Sequence, residues 1–371
     1  MHSFTTSIIW LPMKKIKKWP KDSAYTGRLP RGCVICEKGA KMVLLVTGKC
    51  ASRCFYCPLS KEKKGKSVFY ANERKIKRVE ESLEEAGLMD ALGTGITGGD
   101  PLESIDRTVE SIKALKKRFG RSHHVHLYTS LSDKRRIERL ARAGLDEIRL
   151  HPPVRLWKSL GKTPFADAIR YAKRKGLVAG LELPVIPSRV DDIVSAIAFA
   201  NAVGADFVNL NELEFSETNW RSLRSMGLDV KDDISSAVKG SQDIAYDLLK
   251  LDTRVPLHYC SAAFKDGIQL RRRLLRRAKN VRMPHEVLTK DGTFVKGIIE
   301  TDDFASVAAY IMNRYGVPGR LIWNNNKMKR LEIAPWVLEE IANELEHPSF
   351  IIEEYPTADR LEVERMPLRR R

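Results

Sequence analysis

The chain has 371 residues, 43% hydrophobic and 30% charged, a globular composition long enough for about two domains of ~150 residues each. No run approaches the roughly 18 consecutive apolar residues that span a bilayer, which excludes a helical membrane protein. Lys and Arg number 65 against 47 Asp and Glu, a formal net charge of +18. That balance admits a polyanionic partner such as RNA, and the lysine-rich surface of a thermophile would produce it equally well.

Residues 5–12 form a poor secretory signal, because no Lys or Arg precedes them and no small-residue cleavage site follows. Met13-Lys14-Lys15-Ile16 reads as the natural cytoplasmic start, with the first twelve residues a mis-assigned extension. Residues 1–37 are expected to be an irregular lead-in, broken by Pro20, Gly27, Pro30 and Gly32. They carry Cys33-Val34-Ile35-Cys36, a half-site that suits zinc, part of a cluster, or redox chemistry. Five of the six cysteines fall between Cys33 and Cys57. Such density is not a disulfide framework; in a reducing compartment it points to metal or redox work.

The apolar run 42–46, bounded by Thr47-Gly48, reads as a buried strand. The loop after it holds Cys50-Ala51-Ser52-Arg53-Cys54-Phe55-Tyr56-Cys57. On a zinc ion or a four-iron cluster, three thiolates leave one corner open, and open corners serve chemistry rather than structure. Lys61, Lys63, Lys64 and Lys66 flank Gly65, which reads as a mobile surface loop or, alternatively, a nucleic-acid contact. Residues 72–86 are charged with helical period.

From there short apolar runs alternate with helical stretches. Strands are expected at 93–97, 125–129, 147–151, 177–185 and 207–210, and helices at 104–119, 133–143, 165–175 and 191–203. This alternation places residues 38–283 in an α/β core, a parallel sheet with outer helices that is open or closed into a barrel. Sites in such folds lie at the carboxyl ends of the strands. Gly98-Gly99-Asp100-Pro101 follows one strand: its glycines permit close backbone approach to a ligand and its acid can accept from an ammonium, although a tight turn needs the same residues. Tyr128, Thr129 and Ser130 end the next strand with three hydroxyls. Arg149 and His151 end the one after, and a strand-end His is often only a satisfied structural residue. Glu182 sits in an otherwise apolar strand, and Asn209, Asn211, Glu212 and Glu214 crowd the last strand end.

Residues 232–250 are expected to be helical and 255–260 a further strand leading out of the barrel. Residues 269–279 read as an amphipathic helix whose arginines (271, 272, 273, 276 and 277) face outward, as a phosphate-tracking surface or a merely solvated one. Residues 284–371 form a small α+β domain with strands at 294–299, 320–323, 331–333 and 350–353 and helices at 304–315 and 335–345. It shows no catalytic motif and ends in a ragged basic tail, Arg369 to Arg371. Cys260 is either a buried core thiol or joins Cys33, Cys36 and His258 above the barrel as a ligand of an auxiliary cluster or zinc.

With these residues in view, the chain resembles the radical S-adenosylmethionine (AdoMet) superfamily. Cys-x3-Cys-x2-Cys with an aromatic residue, here Tyr56, before the last cysteine is its signature. The resemblance covers roughly residues 38–215 and implies a partial (β/α)6 TIM-like barrel. It implies that Cys50, Cys54 and Cys57 hold a 4Fe-4S cluster whose open iron is chelated by the amino and carboxylate groups of AdoMet. Gly98-Gly99-Asp100 matches the glycine-rich motif that receives the AdoMet amino group, with Asp100 where the family usually has Glu. Tyr128-Thr129-Ser130 resembles the strand-end hydroxyl segment of the activating-enzyme branch. Arg149, His151 and Glu182 stand where members contact ribose or carboxylate. The family's Gly-x-Ile-x-Gly-x-x-Glu strand is approximated by Gly176, Val178 and Gly180, with Glu182 one residue early.

Within the superfamily, segments 209–215, 258–266 and 354–359 resemble archaeal proteins related to pyruvate formate-lyase activating enzyme. The resemblance implies a cytoplasmic enzyme fed by a ferredoxin or flavodoxin, which cleaves AdoMet to a 5′-deoxyadenosyl radical that abstracts hydrogen. The substrate stays open between a protein glycine and a modified RNA or metabolite. The rival readings are a tRNA-modifying radical enzyme and a zinc- or cluster-bearing RNA-binding protein without turnover.

Overall fold

The computed structural model describes residues 15–368; the expected start at Met13 and the basic tail Arg369 to Arg371 lie outside them. Seven parallel strands form the core: β1 (Lys41–Leu45), β2 (Gly93–Thr97), β3 (His124–Thr129), β4 (Glu147–Leu150), β5 (Val178–Val185), β6 (Val208–Glu212) and β7 (Leu257–Cys260). They pair in chain order, with helices between them, so the strand after residue 255 extends the six-stranded unit rather than leaving it. The sheet does not close. A hairpin, Lys17–Lys18 with Ala24–Tyr25, covers the β7 edge, and another, Tyr70–Ala71 with Arg74–Lys75, covers the β1 edge. The outermost strands are then only two residues long, which leaves little ladder for another chain to join.

Side chains alternate across each strand, and here the two faces differ in kind. Val125, Leu127, Ile148, Leu150, Leu181, Leu183, Val208, Leu210 and Leu257 lie fully buried against the outer helices. The lumen side instead carries His126, Tyr128, Glu147, Arg149, Glu182, Asn209, Asn211, His258 and Cys260. A polar lumen under an apolar jacket has to satisfy its own hydrogen bonds.

The supposedly irregular lead-in contains a helix, Arg31–Glu37, that plugs the amino-terminal end of the barrel. Pro30 sets its entry, since proline is tolerated where the first amides lack partners. The Gly32 amide donates to Glu147 Oε2 at 3.2 Å. A Cβ at Gly32 would stand 2.7 Å from His126 Nδ1 and 2.9 Å from Arg149 and Glu147, so a larger residue would have to displace these side chains to seat the plug.

Three other expectations change. Residues 72–78 complete the edge hairpin and the helix starts at Val79, its first turn fixed by Glu81 accepting from the amides of Lys77 and Arg78. Residues 230–238 form a hairpin, and the helix Ser241–Leu249 begins only after Gly240, whose φ of 82° breaks the helical run. The basic helix Arg271–Val281 does not turn its arginines outward. It is wedged against the barrel and the C-terminal sheet. Arg272 pairs with Glu37, Arg276 donates to the carbonyls of Met89 and Asp90, and Arg277 forks onto Glu85 at 2.9 and 3.1 Å. Of its basic residues only Lys279 is exposed.

The C-terminal sheet runs Ile322–Asn325, Arg330–Ile333, Phe294–Ile299, Ser349–Glu354, Glu362–Pro367, with Val287–Leu288 on the side of the central strand. Helices Phe304–Tyr315 and Pro335–Ile341 pack an apolar cluster on one face. The other face buries Lys296 among Glu286, Glu332 and Glu354 at 2.6–3.3 Å, with Arg330 and Arg360 completing the charge balance. His285, Glu286 and Glu332 stand close enough to ligate an ion, but the Lys296 ammonium already fills that position. Removing one partner from such a network strands buried charge. Lys296→Met is expected to lower stability by about 3–5 kcal/mol in urea titration; an unchanged midpoint would show the network to be dispensable.

Candidate functional site

At the carboxyl ends of the strands lies a cavity of about 780 Å³, walled on one side by Cys50, Cys54 and Cys57. All three thiols are free; Cys50 is exposed and the other two half-buried. Backbone contacts hold their loop in place. The Gly99 amide donates to Thr47 O at 2.7 Å and the Asp100 amide to Lys49 O at 2.8 Å. A Cβ on Gly98 would meet Thr47 O at 2.3 Å, and one on Gly99 would meet Lys49 O at 2.2 Å. The glycines are therefore needed to dock the cysteine loop.

The lysine loop is anchored rather than mobile. Gly48 donates to Lys66 O and Gly65 to Gly48 O, both at 2.8 Å, and a Cβ at Gly48 would stand 1.6 Å from Lys63 O. From the far side, Asn219 Nδ2 donates to Tyr56 O at 3.0 Å and Thr218 to Cys57 O at 3.1 Å. Thr218 and Asn219 were not among the residues the sequence singled out.

Asp100 is buried behind this wall. One carboxylate oxygen accepts from the Leu102 amide and Thr129 Oγ1, the other from the Ser130 amide and Ser130 Oγ, at 2.7–3.0 Å. Four donors fill its acceptor sites, so the expected direct grip on an ammonium gives way to an organising role. Asp100 caps the turn Pro101–Ser104 and locks Thr129 and Ser130, which do line the cavity.

Tyr56 and His151 form a dyad on the cavity wall. His151 Nδ1 lies 2.6 Å from Glu182 O; a carbonyl only accepts, so the proton sits on Nδ1 and Nε2 accepts from Tyr56 Oη at 2.8 Å. Burial lowers the His151 pKa and, with Cys54 beside it, raises that of Tyr56, so both stay neutral. Burial also raises the Cys54 thiol, as do Cys50 and Cys57.

The floor is made by Glu182, whose Oε1 accepts from Asn209 and Asn211, each at 2.7 Å, and whose Oε2 meets Arg149 at 3.1 Å. Arg149 does not reach the cavity. It points toward the plug, bonded to Glu147 at 2.7 Å and 3.3 Å from Cys33 Sγ, which removes it from the set expected to touch a ligand. Burial works against a charged Glu147, but Arg149 and His124 hold its pKa down to about 2. Lys265, paired with Glu214 across the cavity from the thiols, was not foreseen.

Cys33, Cys36 and Cys260 do share one neighbourhood, between the plug helix and the end of β7, where Gln269 contacts Cys36 and Cys260 and Arg149 contacts Cys33. Burial pushes Cys33 and Cys260 up to about 12 and His258 down to about 3.

Comparison with known proteins follows this geometry. Residues 44–153 match the model of the radical SAM superfamily, and residues 292–368 match a domain of unknown function, DUF8061. A protein of Methanocaldococcus jannaschii, provisionally named a glycyl-radical enzyme activating enzyme, is 41% identical over 375 residues, covering 96% of each chain. Among solved structures, SuiB of Streptococcus suis with bound S-adenosylmethionine overlaps 60% of this chain and 50% of its own, at 14% identity and a TM-score of 0.39. Methylornithine synthase (PylB) overlaps 56% of this chain and 61% of its own, at 15% identity and a TM-score of 0.40. Overlaps this loose carry no functional weight.

Asp100→Ala strands four donors at once, two of them buried. It is expected to lower stability by about 2–4 kcal/mol in chemical unfolding; a variant as stable as the parent would show that those donors find water instead.

Proposed function

The chain belongs to the radical SAM superfamily, and we propose that it binds a 4Fe-4S cluster on Cys50, Cys54 and Cys57 and AdoMet in the cavity beside them. The observation that carries this reading is three free thiols on one wall of a single cavity, docked beside two glycine peptides that line the same space. Three thiolates leave one iron open. The carbonyls of Gly98 and Gly99 accept no hydrogen bond among the described residues, which leaves them to receive an ammonium. Thr129 and Ser130, pinned by Asp100, border the same space.

When bound, the cluster supplies the electron that splits AdoMet into methionine and a 5′-deoxyadenosyl radical, which takes hydrogen from a substrate. The chain's own work is to bind, orient and exclude water. The neutral Tyr56–His151 dyad presents a wall that neither donates nor takes a proton at neutral pH. The Glu182–Asn209–Asn211 floor fixes a polar surface with its hydrogen bonds already made.

Arg53, Lys64 and Lys265 line the cavity. Glu182, Glu212 and Glu214 line it too, so the cavity is balanced in charge, and the one-electron donor, of the ferredoxin or flavodoxin type, is what membership of the superfamily implies. The name of the M. jannaschii relative supports a protein glycine as the hydrogen donor. An RNA substrate loses its main support, because the arginines expected to track phosphate are bound to Glu37, Glu85 and backbone carbonyls.

Cys54→Ala is expected to reduce 5′-deoxyadenosine formation by dithionite-reduced, reconstituted protein to background. Formation at the parent rate would remove the cluster assignment.

A further inference from the structure

Cys33 and Cys36 on the plug helix and Cys260 at the end of β7 come from segments more than two hundred residues apart in sequence and converge around Gln269 and Arg149. The two plug-helix thiols sit at i and i+3, on one face. Cys36 donates to Gln269 Oε1 at 2.8 Å, and Gln269 Nε2 donates to Cys260 Sγ at 3.5 Å. One amide therefore spans the gap between two thiols. Gln269 belongs to a single π turn, Lys265–Leu270, a distortion found frequently at functional sites.

Two further groups at this place are unaccounted for by the fold. His258 lies two residues before Cys260 on the same face of β7 and is 2% exposed, and neither of its ring nitrogens has a hydrogen-bond partner. Leaving two buried nitrogens unmet is costly unless something arrives to take them. The Lys41 ammonium faces the same thiols. Its partners are His126 Nε2 and Tyr128 Oη, each at 3.4 Å, with no carboxylate among the described residues. Arg149 stands 3.3 Å from Cys33 Sγ.

We propose that Cys33, Cys36 and Cys260, with His258 as fourth donor, form a second iron–sulfur cluster site beside the plug helix, with ligands distinct from those of the Cys50, Cys54 and Cys57 site. Spacing favours a cluster over a single zinc ion. Among the described residues no three cysteine or histidine donors of this group lie within 4.8 Å of one another, whereas zinc bonds of about 2.3 Å need thiolates about 3.8 Å apart. A cluster holds its thiolates on separate irons, so the amide-wide gap between Cys36 and Cys260 is one it can bridge once Gln269 swings aside.

Anaerobic reconstitution with iron and sulfide tests this. The parent should hold about eight irons per chain, against about four in Cys33→Ala/Cys36→Ala/Cys260→Ala and about four in Cys50→Ala/Cys54→Ala/Cys57→Ala. Only about four irons in the parent, none in the Cys50/Cys54/Cys57 variant, or zinc in place of iron there would overturn the proposal. Loss of the AdoMet site alone would leave the second count untouched. Replacing three buried thiols could unfold the chain, so the parent provides a second readout. Its reduced electron paramagnetic resonance spectrum should contain two cluster signals, only one of which responds to AdoMet; a single signal overturns the proposal.

Discussion

The site depends on how closely two backbones approach. The Gly98-Gly99 peptides lie so near the carbonyls of Thr47 and Lys49 that a single methyl at either glycine would overlap a backbone oxygen. Backbone cannot yield as a side-chain tip can, so the position of the cysteine loop is inherited from the β1–β2 pairing itself. Gly48 repeats the device on the other face of the loop, against Lys63 and Lys66. An exposed thiol such as Cys50 is thereby placed by main-chain geometry, without having to be buried.

The second constraint is electrostatic. Turning the polar face of seven strands inward leaves charged groups out of water, where each is costly unless paired. Arg149 takes Glu147 and Glu182, and Glu182 in turn takes Asn209 and Asn211. The plug helix closes the open end and contributes the Gly32 amide to Glu147. The floor of the cavity is thus built from groups that have already satisfied one another. Ligand-directed chemistry is left to the wall, where the thiols and glycine carbonyls retain free valences. The C-terminal sheet solves the same problem by enclosing Lys296 within three carboxylates.

Much of this was legible in the residues because it is local. The strand at Gly93–Thr97 and the alternation through residue 210 follow from apolar period and turn residues, and the three thiols from their spacing alone. What escaped was set by distant partners. Asp100 looks like a free acceptor until Thr129 and Ser130 arrive from the next strand. Arg149 looks like a strand-end ligand until Glu182 from the next strand and Cys33 on the plug helix take its guanidinium. The arginines of Arg271–Val281 read as a solvated face because the carboxylates that claim them, Glu37 and Glu85, lie far back in the chain. Proline and glycine made residues 30–32 look irregular, although both serve to seat a helix.

The central claim is that the open corner left by Cys50, Cys54 and Cys57 is where AdoMet binds. Electron paramagnetic resonance of the reduced, reconstituted protein tests it directly. The account predicts a cluster signal, absent from the Cys50→Ala/Cys54→Ala/Cys57→Ala variant, whose g values shift when AdoMet is added. A signal that AdoMet leaves unchanged, or a colourless protein holding zinc at those thiols, would contradict it.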